Sequence, residues 1–89
     1  MDLNVVVKLR IMPKDVSTSL NEIESFLKEI VSNYGKLHST EIKPIAFGLK
    51  ALEATILLDD KKGGIEEIEE KLKSSEEISQ VDVIEVSRI

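Results

Sequence analysis

The sequence contains no cysteine and no tryptophan. Disulfides, thiolate zinc sites, iron–sulfur clusters and cysteine nucleophiles are therefore excluded, and a chain without thiols fits a reducing compartment. Aromatic residues are scarce, limited to Phe26, Tyr34 and Phe47. An RNA-recognition domain would need stacking aromatics on its central strands, and the two most regularly apolar segments, Asn4 to Met12 and Leu49 to Leu58, contain none. No apolar run approaches the roughly 20 residues of a membrane-spanning helix. Lys8 also interrupts Val5-Val6-Val7 before that run could serve as a signal-peptide core. Positive charge is in the minority, with 12 Lys plus Arg against 17 Asp plus Glu and a net charge of -5. That balance argues against direct binding of nucleic acid, which depends on neutralising phosphates, and turns attention to a protein partner. The expectation is a cytoplasmic chain that contacts neither membrane nor nucleic acid and is monomeric when free.

What is present is a regular alternation of element signals. At 89 residues a chain can bury roughly 60–65% of its unfolded surface, enough for one core, so residues 1–89 are expected to form a single domain. Val5, Val7, Leu9 and Ile11 alternate with Val6, Lys8, Arg10 and Met12, the period of a half-buried strand, and Pro13 ends it. Ser19 and Glu22 have the spacing of a capping box. Beyond them Leu20, Ile23, Leu27, Ile30, Val31 and Tyr34 lie on one face of an amphipathic helix that is expected to end before Gly35. Lys36 to Ala46 reads as an edge strand because Pro44 breaks its ladder of donors. Leu49 to Leu58 alternates Leu52, Ala54, Ile56 and Leu58 with Ala51, Glu53, Thr55 and Leu57, which suits an inner strand. Turn composition from Asp59 to Gly64 leads into a short helix carrying Ile65, Ile68 and Leu72. In the last strand Val81, Val83, Ile84 and Val86 change phase between Val83 and Ile84, which indicates a bulge or a strand apolar on both faces.

The order β-α-β-β-α-β, with short connections and right-handed crossovers, predicts an α+β, ferredoxin-like sandwich. Its antiparallel sheet would have the order 4-1-3-2, with both helices on one face and a mostly solvent-tolerant opposite face carrying Val6, Lys8, Arg10, Glu53 and Thr55.

Little in this chain supports covalent catalysis. The single histidine, His38, falls on the expected edge strand, where a surface position is the ordinary reading. Asp59 and Asp60 are flanked by Lys61 and Lys62, so a solvated turn suits them better than a cation site. Glu66, Glu67, Glu69 and Glu70 fall within the first turns of a helix, where negative charge is favourable. Gly63-Gly64 lacks the longer glycine pattern and the Lys-Ser/Thr of a phosphate loop. A metallochaperone of this topology would need paired cysteines. A small-molecule-sensing regulatory domain remains conceivable, because its ligand contacts can be largely backbone.

One segment departs from routine structural sequence. In Lys43-Pro44-Ile45-Ala46-Phe47-Gly48-Leu49-Lys50, apolar Ile45 and Phe47 fall at the tip between two strands. An aromatic on a tight hairpin is a candidate interface anchor. The competing reading is that Phe47 tucks under the loop while Gly48 supplies a positive φ.

Pro44-Ile45-Ala46-Phe47-Gly48-Leu49-Lys50-Ala51-Leu52, followed by Gly63-Gly64 before an acidic helix, then Val81-Asp82-Val83 and the final Ser87-Arg88-Ile89, resembles the archaeal elongation factor 1-beta family along essentially the whole chain. The resemblance implies a guanine nucleotide exchange factor for elongation factor 1-alpha, the GTPase that carries aminoacyl-tRNA to the ribosome. It would bind the GDP form, promote GDP release and let GTP enter, with no cofactor of its own. By the same resemblance the partner-binding residues are Ile45, Ala46, Phe47, Gly48, Leu49 and Lys50 in the loop, with Arg88 and Ile89 at the last positions. Where eukaryotic members carry a lysine that reaches the partner's magnesium site, this sequence has Arg88. A guanidinium is planar and bidentate, suited to pairing with a carboxylate or phosphate beside that site rather than entering it as an ammonium would.

Overall fold

The alternating valines, leucines and isoleucines near the start of the sequence form one of the two inner strands of the sheet. In the computed structural model, which describes residues 3–89, the elements are β1 (Val5–Pro13), α1 (Leu20–Val31), β2 (Gly35–Pro44), β3 (Lys50–Leu58), α2 (Ile65–Lys73) and β4 (Ile78–Arg88). Met1 and Asp2, the first two positions of the expected domain span, lie outside the described residues. The sheet has the order β2-β3-β1-β4, the expected 4-1-3-2 order read from the other edge, and every neighbouring pair is antiparallel. This is the ferredoxin-like arrangement.

Strand periodicity decides which side chains face the helices. Val7, Leu9 and Ile11 of β1 and Leu52, Ala54, Ile56 and Leu58 of β3 are all buried, as are Ile23, Leu27, Ile30 and Val31 of α1 and Ile68 and Leu72 of α2. They form one continuous core, with Phe26, Tyr34, Leu37 and Ile65 packed at its margin. Truncating a fully buried member such as Leu27 or Ile56 to alanine costs roughly 2–5 kcal/mol.

Ser19 caps α1, its side chain accepting a hydrogen bond from the Glu22 N–H, which satisfies one of the helix's unpaired donors. The helix is shorter than its apolar pattern suggests. It stops at Val31, where the Ser32 hydroxyl donates to the Glu29 carbonyl at 2.7 Å and the Tyr34 N–H donates to Val31 O at 2.8 Å. Tyr34 therefore belongs to the turn after the helix. Its ring lies over Gly64, with the Lys71 ammonium 5.7 Å from the ring centroid.

Edge-strand boundaries also shift. The ladder between β2 and β3 ends at the pair Pro44 and Lys50, so Ile45, Ala46 and Leu49 belong to the connection. Leu9 pairs with Val83 and Lys8 with Glu85, leaving Ile84 as the extra residue of a β4 bulge, the first of the two readings that the change of phase allowed. A similar irregularity leaves His38 unpaired between Leu37 and Ser39. Bulges on both edges interrupt the straight rows of donors and acceptors that would invite further strands.

The helix-free face is less solvated than expected. Ala51 is fully buried and Glu53 is 9% exposed, and the Arg10 guanidinium lies against Glu53, Nη2 to Oε2 at 3.2 Å. Arg10 also sits opposite Asp82, and Lys8 opposite Glu85. Opposite charges thus face each other across the strands and shield this surface.

Candidate functional site

Pro44 ends the β2 ladder and Lys50 begins β3, so the five residues Ile45 to Leu49 must reverse the chain. Leu49 N–H donates to Ala46 O at 2.9 Å, and Ile45 N–H donates to Leu49 O at the same distance. The two central residues of this turn, Phe47 and Gly48, have φ of 53° and 82°. Positive φ at both central positions is the sign pattern of a type I′ turn, whose twist matches a right-twisted hairpin. Gly48 accepts it freely; a phenylalanine does so at a cost of about 1–2 kcal/mol. The phenyl group is repaid by no intramolecular packing, for Phe47 is 99% exposed. The reading in which it tucks beneath the loop is overturned.

Phe47 is not isolated. Ile45 and Ile42 are about half exposed, and Val16, from the loop between β1 and α1, is 65% exposed. The Val16 Cγ1 lies 3.6 Å from where a Cβ on Gly48 would sit, so that loop meets the hairpin tip. Asp15 builds the loop. Its carboxylate accepts from the Ser17 N–H at 2.8 Å and from the Ser17 hydroxyl at 2.6 Å, and those bonds from Ser17 hold its pKa below the ordinary value. A groove lined by Pro13, Val16, Leu20, Ile42 and Lys50 runs along this side of the hairpin. Another, on the helix-free face, is lined by Met12, Lys43, Ile45 and Ala51. Val16 and Ile42 were not among the residues singled out from sequence. The available signal was an apolar side chain in an otherwise polar capping segment.

The other expected site residues, Arg88 and Ile89, lie elsewhere. Arg88 pairs with Val5 at the start of β1, whereas Ile11, near the strand's far end, pairs with Leu52 beside the hairpin. Nine residues of β1, roughly 25–30 Å of strand, therefore separate the two groups in a molecule 39 Å long. Ile45 to Lys50 come together at one end; Arg88 and Ile89 occupy the opposite one.

Around Arg88 the chain is tied closely. Its Nη2 donates to the Asp60 carboxylate at 2.6 Å, the Asp60 N–H donates to Asn4 Oδ1 at 3.1 Å, and the Ile89 N–H donates to Asn4 O at 3.0 Å. Hydrogen bonding from the Asn4 side chain, with the Arg88 charge after it, holds the Asp60 carboxyl below its ordinary pKa. Neighbouring Asp59 turns its carboxylate onto its own turn, accepting from the Lys61 N–H at 2.9 Å. Among the described residues no cluster of three or more His, Asp or Glu has the geometry of a metal site. His38 is exposed on the β2 edge. No helix among them is long and apolar enough to cross a membrane.

An exposed phenylalanine in a left-handed backbone conformation thus stands at one end of the sheet, and an arginine tethered to a carboxylate stands at the other. The model of the EF-1 guanine nucleotide exchange domain matches residues 6–89. The chain belongs to this exchange-domain family. Proteins named elongation factor 1-beta are similar to it along nearly their whole length. That of Methanocella arvoryzae is 41% identical, over 90% of each chain. Those of Methanosarcina barkeri and Pyrococcus furiosus are 38% and 40% identical, covering 97% and 99% of this chain and 98% of each relative. Membership decides between the two functions left open by the sequence, in favour of guanine nucleotide exchange over small-molecule sensing.

Proposed function

We propose that this chain promotes exchange of GDP for GTP on elongation factor 1-alpha by gripping it at two separated points. The apolar tip of Ile45, Ala46, Phe47, Gly48, Leu49 and Lys50 is the anchor. Arg88 and Ile89 form the cationic element that acts near the partner's magnesium site. The observation that carries this reading is Phe47, an aromatic held 99% exposed in a left-handed backbone conformation. Such a side chain contributes nothing to its own fold and offers a rigid apolar surface of the type that dominates interfaces.

Exchange breaks no covalent bond, so no general base or nucleophile is needed and the factor is not an enzyme in the covalent sense. It must bind the nucleotide-free partner more tightly than the GDP form. By linkage, GDP then weakens the factor by the same ratio as the factor weakens GDP, and couplings between sites typically span about 5- to 150-fold. A GTPase holds GDP largely through magnesium and phosphate-loop electrostatics, so a cation that disturbs the magnesium ligands loosens the nucleotide. The factor engages the GDP-bound form, remains on the empty form, and leaves when GTP and magnesium return. It acts as a cytoplasmic monomer formed by the single domain 1–89, and it touches no nucleic acid directly.

The test is removal of Arg88 and Ile89. Both are exposed and lie beyond the apolar core, so the shortened chain should retain a cooperative thermal transition within a few degrees of the parent. It should accelerate GDP release from elongation factor 1-alpha at least tenfold less well. Undiminished exchange by the shortened chain would overturn the role given to these residues.

A further inference from the structure

The Arg88 side chain is 71% exposed yet bonded at 2.6 Å to a carboxylate from another element. That carboxylate is itself fixed. Asp60 lies on the connection from β3 to α2, where its N–H is held by the Asn4 side chain. The Asn4 backbone in turn accepts from the Ile89 N–H and donates to Leu58 O, both at 3.0 Å. Three separate stretches of chain therefore converge on Asn4 and Asp60, and Arg88 is the only cationic side chain they engage among the described residues. An arginine at the exposed end of a strand ordinarily samples many rotamers, and ordering it on binding lowers affinity. Here one end of the guanidinium is already tethered, while most of the side chain stays open to a partner. A planar fork with five donors can accept a second acid beside the first.

We infer that Asp60 is a positioning residue for nucleotide exchange, holding the Arg88 guanidinium in the orientation in which it meets the GTPase. The inference rests on the exchange role proposed above for Arg88. Asp60 acts through Arg88 and does not itself meet the nucleotide or its magnesium. Asn4 sets the aim of Asp60 by bonding to its backbone N–H, a contact that a side-chain substitution at position 60 leaves in place.

The test is a double-mutant cycle read by GDP release from elongation factor 1-alpha across a range of factor concentrations. The full chains compared are the parent, Asp60→Asn, Asp60→Glu, Arg88→Ala and the combination of Asp60→Asn with Arg88→Ala. Loss of preorganisation predicts that Asp60→Asn lowers exchange efficiency roughly 3- to 10-fold. Asp60→Glu should recover most of that loss, and Asp60→Asn should have no further effect once Arg88 is alanine. An impaired Arg88→Ala beside an unimpaired Asp60→Asn would overturn the positioning role alone. Equal losses from Asp60→Asn with and without Arg88 would also overturn it, marking a general structural defect. Faster exchange by Asp60→Asn would overturn it in the opposite sense, making Asp60 a mask. Full activity of Arg88→Ala would overturn the reading of Arg88 on which the inference stands.

Discussion

Phe47 occupies a backbone region that a bulky side chain ordinarily avoids, and the cost is visible because nothing in the fold packs on its ring. An asparagine followed by glycine is the preferred pair for a turn of this type. Phe47→Asn is therefore expected to raise stability by about 0.5–1 kcal/mol, since asparagine tolerates the left-handed region. It should also lower exchange more than tenfold, the loss expected when an interface anchor worth about 2 kcal/mol is removed. Chemical denaturation and the exchange rate measured on the same preparation check both halves. A variant that loses stability and activity together would show Phe47 to be a structural residue. Two carboxylates allow a second expectation at this scale. Asp15 and Asp60 both titrate below the ordinary value of 3.8 in the folded chain, so each contributes stability that is present above that value and lost as pH falls through the folded pKa. Asp15→Asn should thus lower the thermal midpoint at pH 7, and the deficit should close as both proteins are acidified through the folded pKa of Asp15. A deficit independent of pH would mean that the charge on Asp15 is not what holds the β1–α1 loop.

At the scale of elements, strand and helix identities were legible because each rests on a periodic pattern that burial enforces along its whole length. The boundaries that moved are those set by single hydrogen bonds. Ser32 and Tyr34 close α1 early by satisfying carbonyls that apolar spacing does not reveal, and Pro44 hands the chain to a turn two residues before the expected end of β2. The bulge at Ile84 was readable because it inverts the alternation of β4; the one at His38 was not, because β2 is largely polar and exposed. The apolar composition of the hairpin was legible in the sequence, but the left-handed backbone at Phe47 that leaves its ring outside any packing was not. The partner of Arg88 was illegible, since Asp60 stands 28 positions away and local spacing says nothing about such a pair. Gly35 marks where two elements approach too closely for a side chain. A Cβ there would fall 1.9 Å from the Leu57 carbonyl oxygen, so Gly35→Ala must displace β2 from β3. A loss of roughly 2–3 kcal/mol in urea denaturation is expected; an unchanged midpoint would mean that the edge strand is free to shift.

For the molecule as a whole, the arrangement resembles a strut. The apolar tip and the tethered arginine lie at opposite ends of a sheet, in a body 39 Å long and 21 Å by 17 Å across, and the packed core between them fixes their separation. In the two-point grip proposed above, a rigid spacing of this kind would let binding at the tip set the position of the far end without any moving part. The net charge of -5 suits a partner that binds tRNA and should carry basic patches. Steering of that origin predicts that raising salt from about 50 mM to 500 mM slows association several-fold while dissociation changes little, which stopped-flow mixing would resolve. An association rate indifferent to salt would remove electrostatic steering from the account. The central claim, nucleotide exchange on elongation factor 1-alpha, is tested most directly by the release of a fluorescent GDP analogue from that GTPase, in excess unlabelled nucleotide, as this protein is added at substoichiometric amounts. The account predicts accelerated release with multiple turnovers, so that each molecule of factor empties many molecules of GTPase. Release at the spontaneous rate, with both proteins folded and the GTPase competent to bind nucleotide, would contradict it.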